Sequence, residues 1–367
     1  MQSKSPAYLK ITKEFAEKYP DRFGTGNTIK EPRRVRTPSF EINSLFGGGL
    51  PANRLNIVCG YPRSFKSTFV IGTMKNLLDL CGDCTNVKES CTCSQFNDNT
   101  CIAYIDVDQT MDISYINRLG IDGERVLIYK PIHGESACET AERFSQVPEV
   151  RGIVIDTVNS LVPMENFVDE NSKKGYMDSM VMGERAKLIR RICLALVNHL
   201  DGPILRLAII VNHLAKSIDR HGTIYLPGGR AQEEFATTIL QFWPQGASAS
   251  KRTTEELLTE KDKAHKEEVG FLIRKSKVGN WNISGEFKIY TDSDKAKHIQ
   301  AGDIDDHGSV ANWALRYDLI QKNSGRYMVD GKDLGPQQIV TYWRENPQRY
   351  IYLQEEIIKY EKASQGW

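Results

Sequence analysis

The ten residues Cys59–Thr68, CGYPRSFKST, come within one letter of a phosphate-binding loop. That loop is a Gly, four free residues, then Gly-Lys-Ser/Thr. Gly60, Lys66 and Ser67 fall on the pattern, Arg63 and Ser64 are among its four free places, Thr68 follows it directly, and Phe65 stands where the second glycine belongs. The run before the loop, RLNIVCG, is apolar and strand-like, and the run after it, KSTFVIGTMKNLLDL, is helical, which is the setting such a loop requires. Backbone N–H groups and the helix N-terminus would there cradle the phosphates of ATP. Lys66 would meet the β- and γ-phosphates, and the Ser67 hydroxyl would ligate Mg²⁺.

Beyond the loop the chain keeps alternating. CIAYIDVD, VLIYKP, GIVIDTV and RLAIIVNHL read as strands, and ISYINRLG, ETAERFSQV and a long stretch from about Met177 to Leu200 as helices. Apolar strands separated by helices predict a mostly parallel sheet covered on both faces, with ligands at the strands' carboxyl ends. The apolar strand in GIVIDTV ends in Asp156, the place for a Walker B carboxylate that holds the Mg²⁺ shell. An apolar strand also ends in Asp for turn reasons alone, so the argument rests on loop and Asp occurring in this order.

The remainder bounds the possibilities. The chain has 367 residues, 40% of them hydrophobic, enough for a large α/β core without staples. A net charge of +1 makes the whole molecule no electrostatic magnet for polyanions, so nucleic-acid binding has to come from local loops or from repetition in an assembly. No apolar run approaches a membrane span, and the charged N-terminus lacks a signal peptide's apolar centre, so the expectation is a cytoplasmic protein with reduced cysteines. CGDCTNVKESCTC places Cys81, Cys84, Cys91 and Cys93 within thirteen residues. The C-x₂-C half has knuckle spacing and the C-x-C half supplies two more sulfurs, which predicts a structural Zn²⁺ site with a closed shell. The competing reading is a metal-free cysteine-rich loop. Cys59, Cys138 and Cys193 lie in apolar settings and read as small core residues.

At this point the chain resembles the RecA-type recombinases, and most of all their phage UvsX branch. The resemblance is carried by TPSFEINSLFGGGLPANRLNIVCGYPRSFKST, AYIDVDQTMDISYINRLGIDGERVLIYKP, GIVIDTVNSLVP, LAIIVNHLAKSI, IRKSKVG and the tail GRYMVDGKDLG…VTYWRENP, nearly end to end. The branch carries Ser-Phe-Lys-Ser in its loop, so Phe65 is a variant rather than a defect. The resemblance implies that Asp112 and Tyr115 lie near the adenine and ribose. It places the water-activating base on Asp108, where the family has glutamate, with Asp106 as a structural partner or alternative base. His213 would sense phosphate, or else merely cap its strand, and Lys275 and Lys277 would reach a neighbouring subunit's nucleotide. A carboxylate one methylene shorter puts fast turnover in doubt, because base-to-water geometry is tight. The cysteine cluster departs from the bacterial and phage patterns.

Two segments have loop composition. Residues 213–232 contain Lys216, Arg220, Ile224, Tyr225 and Arg230, and residues 164–178 contain Lys173, Lys174 and Tyr176. Basic groups neutralise phosphates and aromatic rings stack on bases, so the resemblance makes both segments DNA loops. The charged run 248–270 reads as a solvated hairpin tip. From about Ala301 the pattern turns helical and indicates a small C-terminal lobe.

The expectation is therefore an α/β RecA-like ATPase core with an N-terminal helix and a small α/β C-terminal lobe. Residues 1–36 would be a docking helix and linker, 37–296 the core with its insert at 81–93, and 297–367 the lobe. Function follows as ATP-dependent strand exchange by helical filaments of this chain on single-stranded DNA, paired with homologous duplex and served by single-strand-binding and loader proteins. Two rivals are an ATP-binding, slowly hydrolysing DNA scaffold and a RecA-fold ring motor. A small-molecule phosphotransferase has no supporting feature. The branch resemblance would put the protein in a host's cytoplasm.

Overall fold

A computed structural model describes residues 5–19, 23–24, 31–95, 97–164, 183–217, 223–245, 266–294 and 299–365. Its centre is an eight-stranded sheet. In chain order the strands are β1 (Leu55–Gly60), β2 (Cys101–Asp106), β3 (Val126–Tyr129), β4 (Val150–Asp156), β5 (Leu207–His213), β6 (Thr238–Pro244), β7 (Lys266–Ser276) and β8 (Ser284–Tyr290). The spatial order is β8-β7-β6-β1-β5-β4-β2-β3. From β6 to β3 all neighbours are parallel, and β7 and β8 add an antiparallel margin.

The sheet is covered on both faces because its strands are apolar at both parities. Val58, Ile102, Tyr104, Val154, Ile209 and Val211 face α3 (Lys66–Leu78) through Phe69, Val70, Met74 and Leu77. Ile57, Cys59, Ala103, Ile105, Ile153, Ile155 and Ile210 face α5 (Gly134–Gln146) and α6 (Glu184–Leu200) through Ala137, Cys138, Ile189, Ile192 and Cys193. Fully burying one such aliphatic side chain stabilises the fold by about 1.5–3 kcal/mol. Cys59, Cys138 and Cys193 do pack as core residues. The predicted long helix begins at Glu184, and residues 177–182 lie outside the described residues, as does most of the charged run 248–270.

An N-terminal helix, α1 (Pro6–Lys18), is capped by Ser5 and leaves Leu9, Ile11 and Phe15 exposed. A short helix, α2 (Phe40–Leu45), precedes β1, and α4 (Ile113–Arg118) follows β2. Helix α7 (Ala231–Phe235) precedes β6. The C-terminal lobe holds α8 (His307–Arg316), a three-stranded antiparallel sheet of β9 (Gln321–Asn323), β10 (Arg326–Val329) and β11 (Lys332–Leu334), then α9 (Pro336–Glu345) and α10 (Pro347–Gln365). Trp343, Val310, Leu353 and Ile357 form its core, into which Phe40 of α2 inserts. The helical segments match the sequence pattern. The small sheet does not show in that pattern, because strands of three or four residues leave no periodicity to read.

Among the described residues no helix is long and apolar enough to cross a membrane.

Candidate nucleotide site

The phosphate-loop segment joins β1 to α3 at the carboxyl edge of the sheet. Gly60 is required by its surroundings, since a Cβ there would lie 2.3 Å from the Phe242 carbonyl oxygen and 2.8 Å from Ser64 Oγ. Arg63 and Phe65 both adopt left-handed backbone, at φ 61° and 58°. Non-glycine residues held there cost about 1–3 kcal/mol each, and such strain clusters at ligand sites. Phe65 offsets part of this by packing its ring against the core. The missing glycine is thus replaced with its conformation kept. Ser64 is fully buried and donates to Tyr61 O at 2.7 Å, closing the turn.

At the head of α3, Lys66 Nζ donates to Tyr61 O at 2.8 Å and is largely buried, which pulls its pKa down, while Asp156 pulls it back up. The Ser67 hydroxyl donates to Asp156 Oδ2 at 2.5 Å, and the Tyr104 hydroxyl donates to the same oxygen at 2.6 Å. Burial pushes the Asp156 carboxyl upward, and those two donors oppose it. A carboxylate and a hydroxyl therefore converge beside the Lys66 amine, and this donor set fits a hydrated Mg²⁺ carrying phosphate oxygens. The sequence did not single out Tyr104. A tyrosine inside an apolar strand has to hydrogen-bond somewhere, and that was the available signal.

Asp108 follows β2, and its two carboxylate oxygens accept from Thr157 Oγ1 at 3.2 and 3.1 Å. Asp106 ends β2, two residues before Asp108. It is buried and accepts from the backbone N–H groups of Thr110 and Met111 at 3.2 and 2.9 Å, holding the turn that carries Asp108. A cleft of about 430 Å³ opens beside Ser67, walled by Thr110, Met111, Asp112, Ser114, Tyr115 and Arg118. Asp112 caps α4 by accepting from Tyr115 N at 2.8 Å, and Tyr115 shares a hydrogen bond with Thr68 at 2.5 Å. The Arg118 guanidinium lies 5.3 Å from the Tyr115 ring centroid. A larger groove of about 1230 Å³ runs between α3, the cysteine knuckle and α10, but none of Lys66, Asp108 or Asp156 lines it.

His213 pairs in register with Gly60 at the tip of β5, and its buried Nδ1 has no hydrogen-bond partner among the described residues. Its neighbour Asn212 donates to Gln232 Oε1 at 2.9 Å and to Pro227 O at 3.1 Å, and Gln232 donates to Pro227 O at 2.8 Å. Gln232 thus ties the strand tip to the returning end of the second loop. In sequence it stands within RAQEEF, where it looks solvated, so no local signal marked it.

A family model described as RecA N-terminal domain matches residues 5–278. The chain belongs to the RecA recombinase family. It is 25% identical to Protein RecA of Macrococcus caseolyticus over 355 residues, covering 92% of this chain and 86% of that protein. To Protein RecA of Leptospira biflexa it is 24% identical, with 97% and 82% covered, and to that of Acinetobacter baylyi 23% identical, with 93% and 86% covered. The family implies ATP and Mg²⁺, and the phosphate loop, the Ser67–Asp156 pair and the adjoining cleft fit them.

The remaining candidates lie apart from this centre. Lys275 is paired through Ile239 to Ile57, and Ser276 through Thr238 to Asn56, so Lys275 and Lys277 stand toward the amino ends of the parallel strands, away from their own loop. Lys275 Nζ reaches the Glu233 carbonyl and Lys277 Nζ the Glu234 carbonyl at 3.5 Å, both on α7. The second loop contains a short antiparallel ribbon, with Ala215 opposite Tyr225 and Lys216 opposite Ile224. Lys216, Ile224, Tyr225 and Arg230 are exposed. Lys173, Lys174, Tyr176 and Arg220 lie outside the described residues.

The four clustered cysteines close the connection between α3 and β2. Their sulfurs all lie within 4.8 Å of one another, with Cys84–Cys91 at 3.5 Å and Cys81–Cys93 at 3.9 Å. An ion about 2.3 Å from each of four tetrahedral sulfurs sets them about 3.8 Å apart. The Asn97 N–H points at Cys81 Sγ, 3.5 Å away, and Arg151 clamps Gly82 O at 2.6 Å. The backbone N–H groups of Asn86 and Thr92 bring the Cys84 thiol down to about 6. The set forms a candidate metal site.

Proposed function

We propose that this protein is an ATP-dependent recombinase that polymerises on single-stranded DNA and exchanges strands with a homologous duplex. The convergence of Lys66, Ser67 and Asp156 at the carboxyl edge of the sheet, in a chain similar to RecA along nearly all its length, carries the reading. Relatives named RecA support it over the slowly hydrolysing scaffold and the ring motor.

In this reading the loop N–H groups and Lys66 hold the β- and γ-phosphates, and Tyr115 and Asp112 border the base and ribose. Mg²⁺, when bound, neutralises developing charge on the phosphates. Ser67 and Asp156 hold its shell. Asp108 takes the proton from the attacking water, and His213, in register with Gly60, reads the γ-phosphate and passes its state to the second loop through Asn212 and Gln232. Lys275 and Lys277 face away from their own loop, which supports a role across the interface with a neighbouring subunit. The exposed stripe of α1 supports docking on that neighbour. Residues 1–36 are then the docking arm, 37–296 the ATPase core and 297–367 the lobe. Lys216, Arg220, Tyr225 and Arg230 of the second loop, with Lys173 and Lys174 of the first, contact DNA. Two modest loops per subunit bind weakly alone and tightly when many subunits act together. The Ser-Phe-Lys-Ser loop and Asn212-His213 support placement in the phage UvsX branch. The Cys81, Cys84, Cys91 and Cys93 set holds a structural Zn²⁺, since four sulfurs leave no open position for catalysis.

The test is ATP hydrolysis by the purified protein with and without single-stranded DNA, beside Lys66→Ala. Strong stimulation lost in the variant supports the reading. Tight ATP-dependent DNA binding without turnover would leave only the scaffold. No response to DNA in binding or in turnover would sink the recombinase.

A further inference from the structure

Asp108 is a short base at a position that demands precise placement, and the structure holds it in an unusual grip. Thr157 is 2% exposed and follows Asp156 directly. Its hydroxyl lies 3.2 and 3.1 Å from the two oxygens of Asp108, and 3.2 Å from Ser160 Oγ. A hydroxyl carries one proton and two lone pairs, so Thr157 donates to Asp108 while accepting from Ser160. The chain therefore runs from Ser160 through Thr157 to the carboxylate, and keeps Asp108 in the acceptor role a base needs.

We propose that Thr157 is the positioning residue of the hydrolytic base Asp108, an inference that rests on the ATPase reading above. Three features make Thr157 suited to this. Its branched Cβ restricts χ1, so the hydroxyl has few alternative directions. Its turn, Val158–Ser160, is fastened from α6, where Arg185 donates to Leu161 O at 3.2 Å and to Asn159 Oδ1 at 3.4 Å. The backbone on the other side is tied as well, since the Val107 N–H donates to Asp156 O at 2.7 Å. An aspartate has one rotor fewer than a glutamate, so a single fixed donor spanning both oxygens orients it. Groups held this way, by a packed neighbour on an anchored turn, meet the geometric demands of catalysis.

Thr157→Val removes the hydroxyl at nearly constant shape, and Thr157→Ser keeps it. We expect Thr157→Val to lower DNA-stimulated kcat about 10- to 100-fold, because a misplaced base forfeits part of the roughly 10²–10⁴-fold that a positioned one supplies. KM for ATP and affinity for a non-hydrolysable ATP analogue stay within twofold. Thr157→Ser stays within threefold of the parent kcat. In an Asp108→Asn background Thr157→Val has no further effect. In nucleotide-free protein, the infrared carboxylate stretch identified by subtracting the Asp108→Asn spectrum shifts in Thr157→Val and not in Thr157→Ser. A Thr157→Val kcat within twofold of the parent overturns the proposal, as does a Thr157→Ser variant equally impaired. If Thr157→Val fails to fold, Ser160→Ala replaces it: a threefold or greater kcat loss at unchanged KM supports the chain, and an unchanged kcat overturns it. A parent protein that shows no turnover fails at the ATPase reading itself, which is a separate result.

Discussion

The Tyr104 hydroxyl donates to Asp156 Oδ2 at 2.6 Å from the neighbouring strand, and the Ser67 hydroxyl at the head of α3 donates to the same oxygen at 2.5 Å. The pair fixes a buried carboxylate from two sides. Tyr104→Phe removes one donor while leaving the ring in place, and a hydrogen bond to a charged group contributes about 1.5–3 kcal/mol. The expected outcome is a loss of that order in urea unfolding and a severalfold higher Mg²⁺ requirement for ATP binding. Unchanged values in both would remove Tyr104 from the site.

Gly60 has no room for a side chain. Gly60→Ala drives a methyl into the Phe242 backbone, which cannot rotate aside. Overpacking of this kind typically costs about 1–3 kcal/mol. Thermal unfolding should show the drop, and nucleotide affinity should fall at least tenfold because the loop must move. Retained affinity would mean that the turn tolerates displacement.

Asp108→Glu restores the missing methylene. If reach limits the base, DNA-stimulated kcat rises severalfold in steady-state assays while KM for ATP holds. A fall would show instead that the Thr157 contacts are tuned to the shorter side chain.

Elemental analysis of protein purified without added metal should return one zinc per chain. Removing it with a chelator, or replacing Cys84 by Ser, should lower the unfolding temperature, because structural sites contribute folding energy directly. Absence of any metal in a protein whose eight cysteines are all reduced would refute the site.

Asp306, beneath the C-terminal lobe, accepts from Phe40 N at 2.6 Å, and its Oδ1 is buried without a partner among the described residues. Burial raises its pKa well above the usual carboxylate range, the Phe40 N–H opposes that, and the nearby charges of Glu41 and Asp305 add to it. A raised folded-state pKa means the protonated form is favoured by folding. Its contribution is complete below the ordinary carboxylate pKa and is lost as pH rises through the folded value. Asp306→Asn keeps the acceptor and removes the charge, so it should raise the melting temperature by at least about 2 °C at pH 7. The gain should shrink as pH falls toward 4. A variant less stable than the parent at neutral pH would show that the carboxylate is worth more charged than neutral.

Much of this protein is written in local sequence. Apolar runs broken by helical stretches determine a buried parallel sheet. CGYPRSFKST between strand and helix determines a phosphate loop, and the Asp that ends the apolar strand of GIVIDTV determines its partner. These are local because each depends on residues a few positions apart. The four cysteines likewise announce a cluster through spacing alone. The tertiary structure decided what spacing cannot reach. It closed two backbone N–H groups of a turn on the Asp106 carboxylate. It brought Tyr104, Thr157 and Gln232 into the site from positions that look like core or surface in sequence. It turned Lys275 and Lys277 away from their own loop through the antiparallel register of β7 on β6. It also kept the left-handed backbone at residue 65 without a glycine, because the Phe65 ring finds burial against the core. Except at the Asp106 turn, the deciding partner lies far along the chain, and only folding sets its distance.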